Sequence, residues 1–421
     1  MKKIYIFTLL LSSLLSPLSS LVPRLSAQSY YKCDGFNFTK VNITEDALLP
    51  LDWSDIDSIT FNEPRYPEVT IHYDGTTAEV TIPANVTGVT CTSGNSSHVV
   101  LTSTNETTEY LYTITGESTD GSLTVNGTYK LTLKLAGVNL TSTKGAAIDI
   151  ECGKRIDIIL AEGTTNTFAD SSNGTQKAAF YVKGHVELKG NGTLNVFGNT
   201  KHAISVKEYL VIKASAGNIN IQKAVNDGIH CGKGVLGDSE NNYFQMNGGT
   251  ISISGCGSDC IDTDDYGCAY INGGTLTMNV TQQDGTGLKV DSILSLRDGS
   301  ITANVTGNIS DGIRCSYRAD LSGGTINATV TGNGSRGMRG KKASTGTVLN
   351  GGNMNFLGTN VIMNVTGSTY TADQSKCFGI KADQTLTQSA GDISITVAST
   401  ATAIKATTDK WIGGTRNGSS K

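Results

Sequence analysis

The sequence predicts an all-β chain wound as a parallel β-helix of about ten coils, three strands to a coil. Three observations carry this. A short phrase centred on one aliphatic or aromatic residue recurs at Ile148, Phe180, Ile204, Ile229, Ile261, Leu288, Ile313, Met338, Ile380 and Ile404. Each copy is followed by further short runs of alternating apolar and polar residues around a Gly turn, as in CAYINGGTLTMNV and ILSLRDGSITANV. These runs have period two and are too short for helices. The composition agrees: 49 of 421 residues are Gly, only 6 are Pro, and charged residues are 17%. No period-three glycine pattern appears, so the chain is not collagen-like, and its charge is too low for disorder.

The repeat has a physical reason. One coil cannot bury its own inward residues, but coils stacked about 4.8 Å apart build a continuous apolar column. Ten such coils would span roughly 45–50 Å. Hairpins would not explain a long repeat of three strands. The 42-residue step from Met338 to Ile380 predicts an insertion or a degenerate coil around Met354–Val365.

The elements follow in order. Residues 1–27 read as a secretory signal peptide: Lys2 and Lys3 precede an apolar run from Ile4 to Leu15, and Ser26-Ala27 ends it with small residues. Pro17 and the serines cut that run short of the ~20 residues a membrane span needs. The expected location is therefore secreted or at a bacterial cell surface. Residues 28–66 read as an irregular leader and 67–140 as an N-terminal β-rich cap segment without the repeat, covering strand edges that would otherwise be open. Residues 141–410 form the β-helix and 411–421 a tail or small cap. A monomer is expected. The Asn-x-Thr/Ser triplets, beside a bacterial-type signal, read as Asn/Thr-rich turns.

The nine cysteines are odd in number and sit in a chain large enough for its own core, so most are expected as buried thiols. Cys256, Cys260 and Cys268 lack a nearby His and a repeated spacing, which argues against zinc at those three. Without residues 1–27 the net charge is −7, from 30 basic and 37 acidic groups. Residues 28–285 carry −13 and residues 286–421 carry +6. This balance argues against a nucleic-acid partner and suggests cations at one end and an anionic ligand at the other.

Register passes from coil to coil, so outward residues also stack. The residue after each aliphatic gives the column His230, Asp262, Lys289, Arg314, Arg339, Lys381, Lys405. Asp227, Asp259 and Asp311 share a column two places before the aliphatic, and Asp264 stacks with Asp291. Stacked carboxylates repel unless protonated, paired or bridged by a cation. Asp259, Asp262, Asp264 and Asp265, with Asp284 and Asp291 one coil on, offer the hard oxygen ligands that suit Ca²⁺; neutralisation by Lys289 is the competing reading. The cationic column suits carboxylates, since Arg forks bind them bidentately. A polyuronide fits, with His230, Lys289, Arg314 and Arg339 as contacts and Tyr266, Tyr317 and Tyr370 as stacking candidates. Loop packing is the plainer role for each tyrosine, and a structural ion pair the plainer role for His230. No GxSxG, HExxH, Walker A or Rossmann pattern stands in a supporting context.

The segments KLTLKLAGVNLTSTKGAAIDI, TTNTFAD, KHAISVKEYLVI, NDGIHC, CIDTDDYG and INGGTLTMNV together resemble the secreted bacterial carbohydrate-binding β-helix family related to pectate lyases. The resemblance runs from about Glu68 to Ala406. It implies a right-handed parallel β-helix that carries calcium and binds cellulose or acidic plant polysaccharides such as polygalacturonan. The family's DGI-type turns match Asp227-Gly228-Ile229 and Asp311-Gly312-Ile313. This chain departs where Cys260 replaces a turn Gly and Thr286 stands in an Asp position, so the number of calcium sites is open. The expected function is calcium-assisted polysaccharide binding. One alternative is a lyase acting by calcium-assisted β-elimination, with Lys289 as base and Arg314 neutralising the carboxylate. Another is a non-enzymatic surface adhesin or spacer.

Overall fold

The computed structural model describes residues 66–174, 176–233, 242–342 and 351–418, together with the backbone of two short strands near the N-terminus. The chain divides into Met1–Arg65 and Tyr66–Lys421. In the first unit, Ser29–Asp34 pairs antiparallel with Asn37–Asn42. The proposed signal segment 1–27 lies outside the described residues.

The second unit is all-β, with no helix among the described residues. Its strands run in three ladders that are parallel almost throughout. In the first ladder the recurring aliphatic of each repeat pairs directly with that of the next: Ile204 with Ile229, Ile229 with Ile261, Ile261 with Leu288, Leu288 with Ile313, and Ile313 with Met338. The second ladder contains the run Ile212, Met246, Ile271, Leu296, Leu321, Phe356. The third contains Phe168, Val196, Ile221, Ile253, Met278, Ala303. Side chains alternate along each strand, so these three columns face one interior and are almost fully buried. Each well-buried Ile or Leu stabilises by about 1.5–3 kcal/mol relative to exposure. Backbone bonds such as Ile229 N–H to Cys260 C=O, 2.9 Å, tie one repeat to the next.

The structure corrects three boundaries. The segment 67–140 is not a cap without the repeat: Val99 pairs with Leu123 and Leu123 with Ile148, which adds two rungs to the first ladder. The second ladder reaches back to Glu68–Asp74, and Glu68–Asp74 and His98–Ser103 are each flanked by an antiparallel strand, Thr77–Thr81 and Val89–Cys91 respectively. Tyr73 and Tyr112 fill positions that aliphatics hold elsewhere, which hid the repeat. No coil is missing between Met338 and Ile380, because these residues pair directly and Met354–Val365 belongs to the other two ladders of an ordinary repeat. The extra length is an insertion divided between two connections, from Gly340 to Asn353 and from Val365 to Phe378. Finally, Trp411 pairs with Gln388 and Thr415–Asn417 with Asp392–Ser394, so the described part of the tail is ladder.

Of the nine cysteines, the eight within the second unit are free thiols, seven of them buried. Among the described residues no helix is long and apolar enough to cross a membrane.

Candidate functional site

The outward side of the first ladder carries the charged column. His230, Asp262, Lys289, Arg314, Arg339, Lys381 and Lys405 are rung-to-rung partners in unbroken register. The column two places before the aliphatic runs alongside it and carries Asp227, Asp259, Thr286, Asp311 and Arg336, all buried. Charges from both columns meet, and they sort into an acidic and a basic half.

In the acidic half, Asp227, Asp259 and Asp262 offer carboxylate oxygens that lie within 4.8 Å of one another. Lys289 closes this group: its Nζ is 2.8 Å from Asp262 and 3.2 Å from Asp259. Burial pulls the Lys289 ammonium down, but the two carboxylates outweigh it and hold the group above the usual lysine range. Asp259 is pushed up by burial, with Lys289 opposing. Asp227 goes the other way: burial raises it, yet His202 and His230 outweigh that and hold its carboxyl well below the ordinary range. Three buried carboxylates are a donor set that suits a hard cation. The same geometry gives Lys289 the position of the competing cation.

The other predicted ligands are not all in this group. Asp264 folds back in a left-handed turn (φ 49°), donates its N–H to Asp262 and stands 3.9 Å from His230 Nε2. Asp265 is exposed and pairs with Lys233 at 2.7 Å. Asp291 accepts the backbone N–H of Tyr266, 3.1 Å, and so braces the turn. Gly267 closes that turn, where a Cβ would come within 1.8 Å of the Thr263 carbonyl oxygen. Asp284 occupies a separate exposed turn, also left-handed (φ 59°). It is therefore set apart from the trio, because the turn carries it to the outside of its connection.

Asp311 is a further correction. It is the counterion of an arginine cluster, not a member of a carboxylate group. Arg336 Nε bonds its Oδ1, and Arg314 and Arg339 approach its Oδ2 at 3.8 and 3.9 Å. Arg336 also donates to the Gly334 and Ile309 carbonyls, which locks it in place. Thr286 sits between Asp259 and Asp311 in the column, so the two carboxylates never become neighbours. Arg339 is lowered by burial, and Lys341 by burial and then by Arg314 and Arg339. The basic half thus holds more cation than its carboxylates, Asp311 and Asp383, neutralise. Lys381 and Lys405 lie over the Phe378 ring, at 5.8 and 5.7 Å, and Lys381 also pairs with Asp383 at 3.5 Å.

For the proposed lyase pair, Lys289 is an ion-paired ammonium, which is the opposite of a free base, and Arg314 faces Asp311. Tyr266 and Tyr317 are half-buried, with Lys233 and Arg318 over their rings at 5.8 and 5.9 Å. Tyr370 hydrogen-bonds Gln283 at 3.2 Å. One residue escaped the sequence reading. His202 lies one rung before Asp227 in the same column, 3.1 Å from it and buried. Aligning KHAISV under NDGIHC and extending the column one rung would have found it.

An all-β ladder protein with a charged outward ridge defines a fold class and a surface, not one particular chemistry. The chain belongs to the family of carbohydrate-binding domain-containing proteins, whose family model matches residues 96–419. A carbohydrate-binding domain-containing protein of Acetivibrio thermocellus is 32% identical over 122 residues, which are 27% of this chain. The match covers 42% of that relative, less than half its length. A solved structure described as the polysaccharide lyase-like protein from C. thermocellum, gadolinium derivative, is similar at 25% identity and a TM-score of 0.49, over 61% of this chain and 97% of that one.

Proposed function

We propose that this chain is a secreted, non-enzymatic protein that binds an acidic polysaccharide along the outward ridge of its first ladder. The carrying observation is the unbroken register of His230, Asp262, Lys289, Arg314 and Arg339. It sets a surplus of guanidinium groups beside a buried carboxylate group. Arg314 and Arg339 supply planar donors for sugar carboxylates. A calcium ion at Asp227, Asp259 and Asp262 would neutralise that group and add a cation to the ridge; Lys289 would have to move aside. One strand of each ladder per repeat supports reading the fold as a right-handed parallel β-helix. The signal-like residues 1–27 support secretion.

The test is retention of the full chain on polygalacturonate, cellulose and a neutral glycan, with calcium and with a chelator. Retention on polygalacturonate that weakens about tenfold or more in Arg314→Gln, the size of a lost charge-assisted contact, is expected. Retention on the neutral glycan alone would sink the acidic-ligand reading, and no retention on any glycan would favour a spacer. Release of unsaturated uronides would overturn the non-enzymatic part. Lys289 as an ion-paired ammonium argues against that outcome.

A further inference from the structure

His202, Asp227 and His230 form a second cluster, in which His202 has no part in the glycan reading and Asp227 and His230 face it from the acidic end of the ridge. One ligand atom from each lies within 4.8 Å of the other two. The two Nδ1–Oδ2 distances are 3.1 and 3.3 Å. Ligand atoms around a tetrahedral zinc, with bonds of ~2.0–2.1 Å, stand about 3.3 Å apart. The cluster spans two rungs: His202 and Asp227 stack in one column, and His230 comes from the next outward position of Asp227's own rung.

A plain ion pair does not account for this arrangement. Despite the short distances, neither Nδ1 makes a hydrogen bond; both are buried polar atoms without a partner in bonding geometry. His202 is only 1% exposed, so water does not relieve it. The rings are stacked, 4.4 Å between centroids and 19° between planes. Asp227 is already supported as a ligand would be. Its Oδ1 accepts the Asp259 N–H at 3.3 Å, and Asn226 donates to Oδ2 at 3.2 Å.

We propose that His202, Asp227 and His230 bind one divalent transition-metal ion of the zinc class. Two imidazoles and one carboxylate are borderline-soft donors, which suit zinc and not calcium. The rings turn about χ2, a soft torsion, to share the ion. The His230 side chain is 22% exposed, which gives the ion an entry and leaves a fourth position open to solvent, while Asp264 stands 3.9 Å from the other ring nitrogen, Nε2, as an outer partner of that imidazole. The site cross-links two successive rungs at the acidic end of the ridge. It shares Asp227 with the proposed calcium position and His230 with the ridge, and its test uses no glycan, so its failure is distinguishable from a failure of glycan binding.

The test is equilibrium dialysis of the full chain against ZnCl₂ with metal analysis, and a visible absorption spectrum with Co²⁺. One zinc per chain is expected, with a tetrahedral-type Co²⁺ spectrum. His230→Ala should weaken uptake about tenfold or more, a floor set by the 10–100-fold effects of outer-sphere changes, and should abolish the spectrum. His98→Ala, at a separate histidine, should change neither. His230 is partly exposed, so its variant is expected to fold, with circular dichroism as the check; the wild-type Co²⁺ spectrum needs no variant at all. No zinc uptake, uptake indifferent to His230→Ala, or displacement of zinc by excess Ca²⁺ would overturn the assignment.

Discussion

At the scale of single residues, what a side chain does here depends on its rung neighbours. Asp259, Asp262 and Asp311 have the same chemistry and lie on neighbouring columns. Two of them share Lys289, while the third is enclosed by arginines. Asp149 shows the same dependence without any cluster. Burial pushes its carboxyl up to about 6, opposed by Gln176, whose Nε2 is 3.3 Å from both oxygens, and assisted by Glu151. An ordinary unfolded Asp titrates near 4, so between roughly pH 4 and pH 6 the folded chain binds the extra proton. The Asp149 contribution to stability is therefore complete below that window and is lost as pH rises through it. Denaturation midpoints measured from pH 4 to 7 should show this decline, and Asp149→Asn should flatten it. An unchanged slope in the variant would assign the decline to other groups.

At the scale of elements, the strands are held by columns, and a column is strongest at its middle. Ile261 is fully buried between Ile229 and Leu288. Ile404 has Ile380 on one side and is only partly buried. Ile261→Ala should cost about 2–5 kcal/mol, as for other buried aliphatics, and Ile404→Ala distinctly less. Urea denaturation of the two variants checks the order. Equal losses would mean that the columns do not set the stability of their strands. The same logic explains what the sequence revealed at this scale. All ten recurring residues are register partners in one ladder because period-two alternation and a regular repeat leave one inward choice per rung. Val99 and Leu123 continue the ladder with aliphatic partners, but an antiparallel strand flanks Val99 and the aromatic Tyr73 and Tyr112 interrupt the second ladder of the same segment, so the repeat was masked there.

At the scale of the whole chain, the net charge changes sign along the sequence, from −13 over residues 28–285 to +6 over residues 286–421. Parallel register converts that into an acidic and then a basic stretch of a single ridge. An anionic polymer held there is held by exposed and half-buried cations, whose reach shortens as salt rises: the screening length falls from about 10 Å at 0.1 M to about 3 Å at 1 M. Retention on polygalacturonate should therefore fall steeply with NaCl across that range. Salt-insensitive retention would point to stacking or hydrogen bonding as the main contact.

The sequence by itself determined the repeat, the inward residue of each rung, and the order of charges along the outward column. These follow from local alternation and from spacing, both of which are written in one dimension. Only the tertiary structure decided which charges compensate which. Lys289 reaches across to Asp259 as well as to its rung partner Asp262, Asp311 gathers three arginines from two rungs, and His202 meets His230 through Asp227. Long side chains choose partners by direction and burial across neighbouring columns, and no spacing along the chain encodes that choice.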